Sequence, residues 1–230
     1  EVSDSWLKFK PNNILDVDGT NGPINAIEAI SDNLYFFQDE GIGTTKIDER
    51  AMVNDTEGVS LVLGTGDVFG KPRYISDEEG TKHPSSVIKG RDAIYFYDTL
   101  NNSISMIGGQ GIANLAKLKG VRSFLKNNVD KQLMYGSSIS DDYGVVAGFN
   151  PVTNMLYFTF NNPDGSGKNS FTIGYNEMSK EFISIYDFIP IVYISNKEFN
   201  NATDHTFIFK TLKDSWCLNT NGNTYIRIGF

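Results

Sequence analysis

Short apolar and aromatic runs, separated by polar clusters rich in Ser, Asp, Asn and Gly, recur along the whole chain. Two segments match without gaps at a shift of sixty positions: Ile24 to Ile47, INAIEAISDNLYFFQDEGIGTTKI, and Pro84 to Ile107, PSSVIKGRDAIYFYDTLNNSISMI. Ile27 falls on Val87, Leu34-Tyr35-Phe36-Phe37 on Ile94-Tyr95-Phe96-Tyr97, and Ile47 on Ile107. Each segment predicts a strand, a polar turn, an aromatic strand, a second turn and a third strand. The turn residues supply the dihedrals and local side-chain bonds that reverse the chain.

A third unit has a longer inner turn. Gly148 to Asn154 leads into Met155 to Phe160, a tip at Asn161 to Asn169 is expected to be flexible, and strands follow at Phe171 to Tyr175 and Phe182 to Tyr186. A fourth unit takes Ile191 to Ile194, Thr206 to Lys210, Ser215 to Leu218 and Thr224 to Ile228. Groups of short antiparallel strands at this spacing predict an all-β, propeller-like array of about four blade units, because one small sheet cannot bury both faces unless it stacks on neighbours. Alternation of Phe182, Ser184 and Tyr186 against Ile183 and Ile185 is expected to bury both faces of its strand. A sandwich of stacked hairpins is the alternative architecture. Residues 1–23 read as a lead-in segment or linker, and 24–230 as the propeller-like domain.

The pattern changes at Gly111 to Asn128. Ile112, Leu115, Leu118, Phe124 and Leu125 have near-helical spacing, and Gly120 interrupts them, so one or two short helices are expected. Lys117, Lys119, Arg122 and Lys126 make this stretch locally basic. They form either a solvated helix face or a dock for an acidic neighbour.

Composition narrows the chemistry. A net charge of −8 over 230 residues gives no broad phosphate-binding surface, which argues against tight nucleic-acid binding. The same charge suits ordinary solubility, or a wall past which DNA slides. The lone Cys217 makes no internal disulfide and reads as a packed thiol between Trp216 and Leu218. His83 and His205 are the only histidines and lie far apart in sequence, which leaves little raw material for a His-based zinc site or a Ser-His-Asp triad. No apolar run reaches the ~20 residues that span a bilayer, and no signal-peptide pattern is present. The chain starts at Glu1, which suggests a processed or excised piece.

One motif points to catalysis. Ile14-Leu15-Asp16-Val17-Asp18-Gly19-Thr20 resembles the first motif of the haloacid-dehalogenase phosphatases, where the first Asp is nucleophile and the second acid/base. That chemistry needs a central parallel strand, helices on both faces and a second acidic pair for Mg²⁺. Gly64-Thr65-Gly66-Asp67 comes too early to be that pair, and no α/β alternation surrounds it or Ser140-Asp141-Asp142. An EF-hand count from Asp16 puts Asp18 at loop position 3 but Asn21 at 6 and Ile27 at 12, where Gly and Glu belong. Asp16 and Asp18 then remain either ligands of a different cation site or part of a turn entering the first unit. No cofactor, metal or catalytic residue is assigned.

The third unit carries a family resemblance. Pro151-Val152-Thr153-Asn154-Met155-Leu156-Tyr157-Phe158-Thr159-Phe160, then Tyr175-Asn176-Glu177 with Phe182, then Tyr186-Asp187-Phe188-Ile189-Pro190, resembles the propeller segment of tail muzzle (stabilisation, tail-nozzle) proteins of crAss-like bacteriophages. The similarity covers about Val59 to Phe230. It implies a non-enzymatic virion protein, assembled in the bacterial cytoplasm. In the virion it would be part of a ring at the distal end of a short tail that closes or lines the DNA channel and helps attachment or genome ejection. The implied partners are other copies of itself, other tail proteins and the rest of its own polypeptide, the family's members being far longer. Candidate contact segments are Asp48 to Glu57, Gly66 to Gly80 (with Asp67, Lys71, Arg73, Asp77, Glu78 and Glu79), Asn161 to Asn169, and Asn196 to Asp204. The competing function is a glycan-binding or glycan-cleaving propeller, for which Asp98, Asp141, Asp142, Glu177 and Asp187 are carboxylates by residue type alone.

Overall fold

The computed structural model describes residues 14–46, 51–54, 60–63, 69–117, 120–138, 140, 142–197, 205–211, 215–219 and 225–228. Strands β1 (Ile24–Ile30), β2 (Asn33–Gln38), β3 (Ile42–Lys46), β4 (Ala51–Asn54), β5 (Ser60–Leu63) and β6 (Arg73–Ser76) come first. Then follow β7 (Ile88–Lys89), β8 (Ile94–Asp98), β9 (Ser103–Gly108), β10 (Gly111–Asn114) and helix α1 (Val121–Asn128). β11 (Gly144–Asn150), β12 (Met155–Asn161), β13 (Phe171–Asn176) and β14 (Glu181–Tyr186) make the third group, and β15 (Pro190–Lys197), β16 (His205–Thr211), β17 (Ser215–Asn219) and β18 (Tyr225–Ile228) the fourth. They form four four-stranded sheets, ordered β1-β2-β3-β6, β7-β8-β9-β10, β11-β12-β13-β14 and β15-β16-β17-β18, with β4-β5 as a separate ribbon.

The sheets are antiparallel and stack in chain order. Their first strands converge, β1 lying beside β7, β7 beside β11, and β11 beside β15. These strands mark the inner edge of a propeller-like arc. The middle strands are buried on both faces, which is why they read as unbroken apolar runs. In β8, Phe96 and Ile94 meet Phe37 and Ile42 of sheet one, while Tyr95 and Tyr97 turn to sheet three. All of β12 is buried. Phe160 stacks on Phe171 at 4.9 Å and takes Tyr97 edge-on at 5.2 Å. Each ring so buried contributes about 1.5–3 kcal/mol.

The sixty-residue repeat holds for the second and third strands of the first two sheets. It fails at the first strand of sheet two, where Pro84–Ser86 forms a 3₁₀ turn and leaves β7 two residues long. Pro84 starts that turn, and the Ser86 hydroxyl donates to the His83 carbonyl at 2.8 Å.

Several expectations need correction. Gly111–Asn114 is a strand, because Ile112 pairs with Ile107 at the outer edge of sheet two; helical structure starts at Leu115–Lys117 (3₁₀) and continues in α1. Sheet three begins at Gly144, four residues before the expected lead-in at Gly148. β14 does not bury both faces: Ile183 and Ile185 are 54% and 51% exposed. A bulge opposite Gly174–Tyr175 breaks the alternation, and β14 lies at the outer edge of the order. The expected contact segments Asp48 to Glu57 and Gly66 to Gly80 contain β4 and β6, and Asn196 opens no loop because β15 runs to Lys197. Asp48 and Asp67 lie outside the described residues, as do Ile47, Leu118 and Lys119.

Candidate functional site

The ILDVDGT stretch is an exposed cap. Asp18 Oδ1 accepts from the Thr20 N–H at 2.9 Å and the Thr20 hydroxyl at 2.8 Å, closing the 3₁₀ turn Gly19–Asn21. These bonds hold its carboxyl below the ordinary 3.8. Asp16 is also exposed, outside any strand. Every strand pairing among the described residues is antiparallel, so a phosphatase nucleophile has no parallel strand to end there. No group of three or more His, Cys, Asp or Glu among the described residues is arranged to hold a metal.

Two of the carboxylates considered for glycan chemistry are spent on backbone. Glu177, in the turn after β13, reaches across to the β7–β8 turn of sheet two. It accepts from Arg91 N at 3.0 and 2.9 Å, from Asp92 N at 3.2 Å and from the Tyr95 hydroxyl at 3.1 Å. Burial, then the charge of Glu177, pushes the Tyr95 phenol up, so it stays a donor. Asp98, fully buried at the end of β8, accepts from Asn101 Nδ2 at 2.7 Å, Leu100 N at 3.1 Å and, at 3.4 Å, from Gly80 N and Asn101 N. Burial pushes its carboxyl up, and these donors pull it back. Asp187 is exposed, Asp142 lines a cavity described below, and Asp141 lies outside the described residues. Glu177 and Asp98 are therefore fasteners in separate turns.

Similar fasteners recur at the ends of β2 and β12. Gln38 Nε2 donates to the carbonyls of Asp18 (2.9 Å) and Gly22 (2.6 Å), and its Oε1 accepts from the Tyr74 hydroxyl at 2.6 Å. Asn161 Nδ2 donates to the Pro190 carbonyl at 3.3 Å. Asn162 ties the base of the expected flexible tip to the end of α1, donating to the Asn128 carbonyl and accepting from Asp130 N. Between sheets three and four runs a directional hydroxyl chain. Thr172 donates to the Phe188 carbonyl at 2.6 Å, so Thr159 must donate to Thr172 (2.7 Å) and Tyr193 to Thr159 (2.6 Å). Gly148 gives the Tyr193 ring its seat: a Cβ there would lie 2.4 Å from the ring.

Beside the inner edge, where β11 and β15 begin, lies a cavity of about 200 Å³ lined by Ser85, Ser137, Asp142, Tyr143, Asn161 and Ile191 among others. Buried His83 also lines it; its Nε2 lies 2.6 Å from the Leu133 carbonyl and its Nδ1 accepts from Val145 N at 3.2 Å. The ring is thus neutral with its proton on Nε2. Burial holds its pKa below the ordinary 6.5, although the Leu133 bond raises it. The unfolded chain therefore takes up this proton at higher pH than the folded one. The stability His83 contributes is complete above about pH 6.5 and is lost as pH falls from there through the lower folded value. Thermal melts between pH 7.5 and 5 are expected to show Tm falling below about 6.5, with a shallower fall in His83→Gln. An equal slope in both proteins would exclude His83 as the source.

Residue type alone nominates Asp98, Asp142 and Glu177; Gly80 and Asn161 enter the sequence reading only as bounds of candidate contact segments, and Gln38 not at all. The polar side chains traced above fasten sheet to sheet. The basic residues Lys117, Arg122 and Lys126 are exposed beside or on α1.

A family model described as Crassvirus muzzle protein matches residues 1–204. The match starts upstream of the segment that carried the resemblance. The muzzle protein of Bacteroides phage crAss001 is 22% identical over 201 residues, which are 86% of this chain and 14% of that protein. The chain thus spans about one-seventh of that relative's length. A solved nidogen/laminin complex contains a chain similar at TM-score 0.39 and 14% identity, over 85% of this chain and 59% of that one.

Proposed function

The chain belongs to the Crassvirus muzzle protein family, and from that membership we propose that it is a non-enzymatic structural segment of a phage tail. It forms part of the ring or nozzle at the tail's distal end, where it closes or lines the DNA channel and takes part in attachment or genome ejection. It is assembled in the host cytoplasm and resides in the virion. Its partners are further copies of itself, other tail proteins and the remainder of a longer polypeptide.

The observation that supports this reading is the open, apolar-ended arc. Among the described strands, β1 and β15 are not joined to each other as β1 is to β7, β7 to β11 and β11 to β15. Ile27, on the face of β1 turned from sheet two, is 56% exposed. Val192 and Ile194, flanking Tyr193 on β15, are 38% and 52% exposed. By alternation these two face away from sheet three. Apolar side chains left exposed on the two outermost inner strands, β1 and β15, suit a unit completed by further sheets, and bare blades invite aggregation.

Cryo-electron microscopy of the intact particle is the test. Density for this fold in the tail, with a further sheet on each end face, is the expected result. Absence from the particle, or a native mass showing a stable free 230-residue monomer with no larger parent, would overturn the proposal.

A further inference from the structure

We propose that the cavity beside the inner edge binds one neutral pyranose sugar. The inference stands on the cavity's lining and is independent of the tail assignment. Ser85, Ser137, Asn161 and Asp142 line the wall as its hydroxyl, carboxamide and carboxylate residues, and Tyr143 and Ile191 as its larger apolar ones. A pyranose has the same division, with a C–H face that rests on a ring and an edge of hydroxyls that pair with carboxylates and amides.

Charge selects against other ligands. Among the described residues no lysine or arginine lines the cavity, and Asp142 repels anions, so phosphates and uronic acids are disfavoured. With Asp142 as the lining carboxylate among the described residues, a divalent cation lacks an oxygen cage. Among the described lining residues Asp142 has no second carboxylate to pair with for hydrolysis, so binding is the role assigned. The volume of about 200 Å³ is below the ~300–1,000 Å³ of pockets for larger ligands, which sets the size at a single ring.

The lining is held in place before any ligand arrives. Ser138 N donates to the Tyr143 carbonyl at 3.1 Å, closing the hairpin that carries Ser137 and Asp142. Asp142 sits at φ 51° in that turn, a conformation Asp tolerates better than most residues. Asn161 is fixed by its bond to Pro190 and His83 by its two bonds.

Saturation-transfer NMR and calorimetry of the 230-residue chain with glucose, galactose, mannose, N-acetylglucosamine and glucuronate provide the test. At least one neutral sugar is expected to bind with Kd of about 1–10 mM, the weak end of the affinity scale, and glucuronate at least about tenfold more weakly. Asp142→Ala is expected to weaken binding about tenfold, a loss of about 1.4 kcal/mol. Ser85→Trp, at an exposed position that leaves the core untouched, is expected to abolish it by filling the mouth. No binding of any neutral sugar at about 50 mM, several times that Kd, would overturn the proposal. So would binding that survives Ser85→Trp, or glucuronate binding as well as its neutral counterpart.

Discussion

Glu177→Ala is expected to lower the folding free energy by about 3 kcal/mol, because hydrogen bonds to a charged group contribute about 1.5–3 kcal/mol each and stranded buried donors add to the loss. In a domain of this size that is a fall in Tm of roughly 6–12 °C. The reasoning rests on geometry: one carboxylate accepts from Arg91 N, Asp92 N and the Tyr95 hydroxyl, and all three donors belong to the neighbouring sheet. Water reaches the two amides of this surface turn more easily than the tyrosine, which keeps the loss below the sum of the bonds. Glu177→Gln is expected to recover less than half of it, since its NH₂ group points a donor at donors. Chemical denaturation gives the loss, and amide exchange at Arg91 and Asp92 locates it. Unchanged stability in Glu177→Ala, or full recovery in Glu177→Gln, would rule out a charged clamp.

Gly80→Ala is expected to cost as much, about 3 kcal/mol, the top of the usual range for inserting a methyl where nothing can move aside. A Cβ at Gly80 would lie 2.3 Å from the Asp39 carbonyl oxygen and 2.7 Å from that of Gln38, both backbone atoms of the β2–β3 turn. On its other side Gly80 accepts from Thr99 N at 3.0 Å and offers its N–H to Asp98. The residue is thus clasped between turns of sheets one and two, and the methyl must spread them and weaken those bonds. Gly19→Ala is the matched control, since a Cβ there meets nothing within 4 Å. Melting curves that place the two variants within about 0.5 kcal/mol of each other, the ordinary scatter of surface changes, would contradict the clasp.

These two residues also mark where a sequence stops being readable. β8 and β12 were legible because burial on both faces forces unbroken apolar runs, and their turns carry their own chemistry in Asn, Asp and Gly. Ile112 and Leu115 misled because three-residue spacing suits a helix, while the pairing of Ile112 with Ile107 makes Gly111–Asn114 a strand. β14 misled because alternation alone cannot reveal that a strand lies at an edge. Glu177 looked like a catalytic candidate because its partners are 82 to 86 residues away, and local sequence carries no record of such a bond. Gly80 resembled any loop glycine for the same reason. The cavity was only half legible: Asp142 was nominated, but Ser85, Ser137 and Asn161 come from three stretches that the topology brings together.

Most of the fasteners share a direction that bears on biosynthesis. Gln38 reaches back to Asp18 and Gly22 through its Nε2 and ahead to Tyr74 through its Oε1, Asp98 reaches back to Gly80 and Glu177 to the Arg91 turn; Asn161, which grips Pro190, reaches ahead. A chain emerging from the ribosome amino end first can therefore latch each of its first three sheets onto residues already made. Asp98 and Glu177 thus have their partners in place as soon as their own strands are made, whereas Asn161 waits for Pro190.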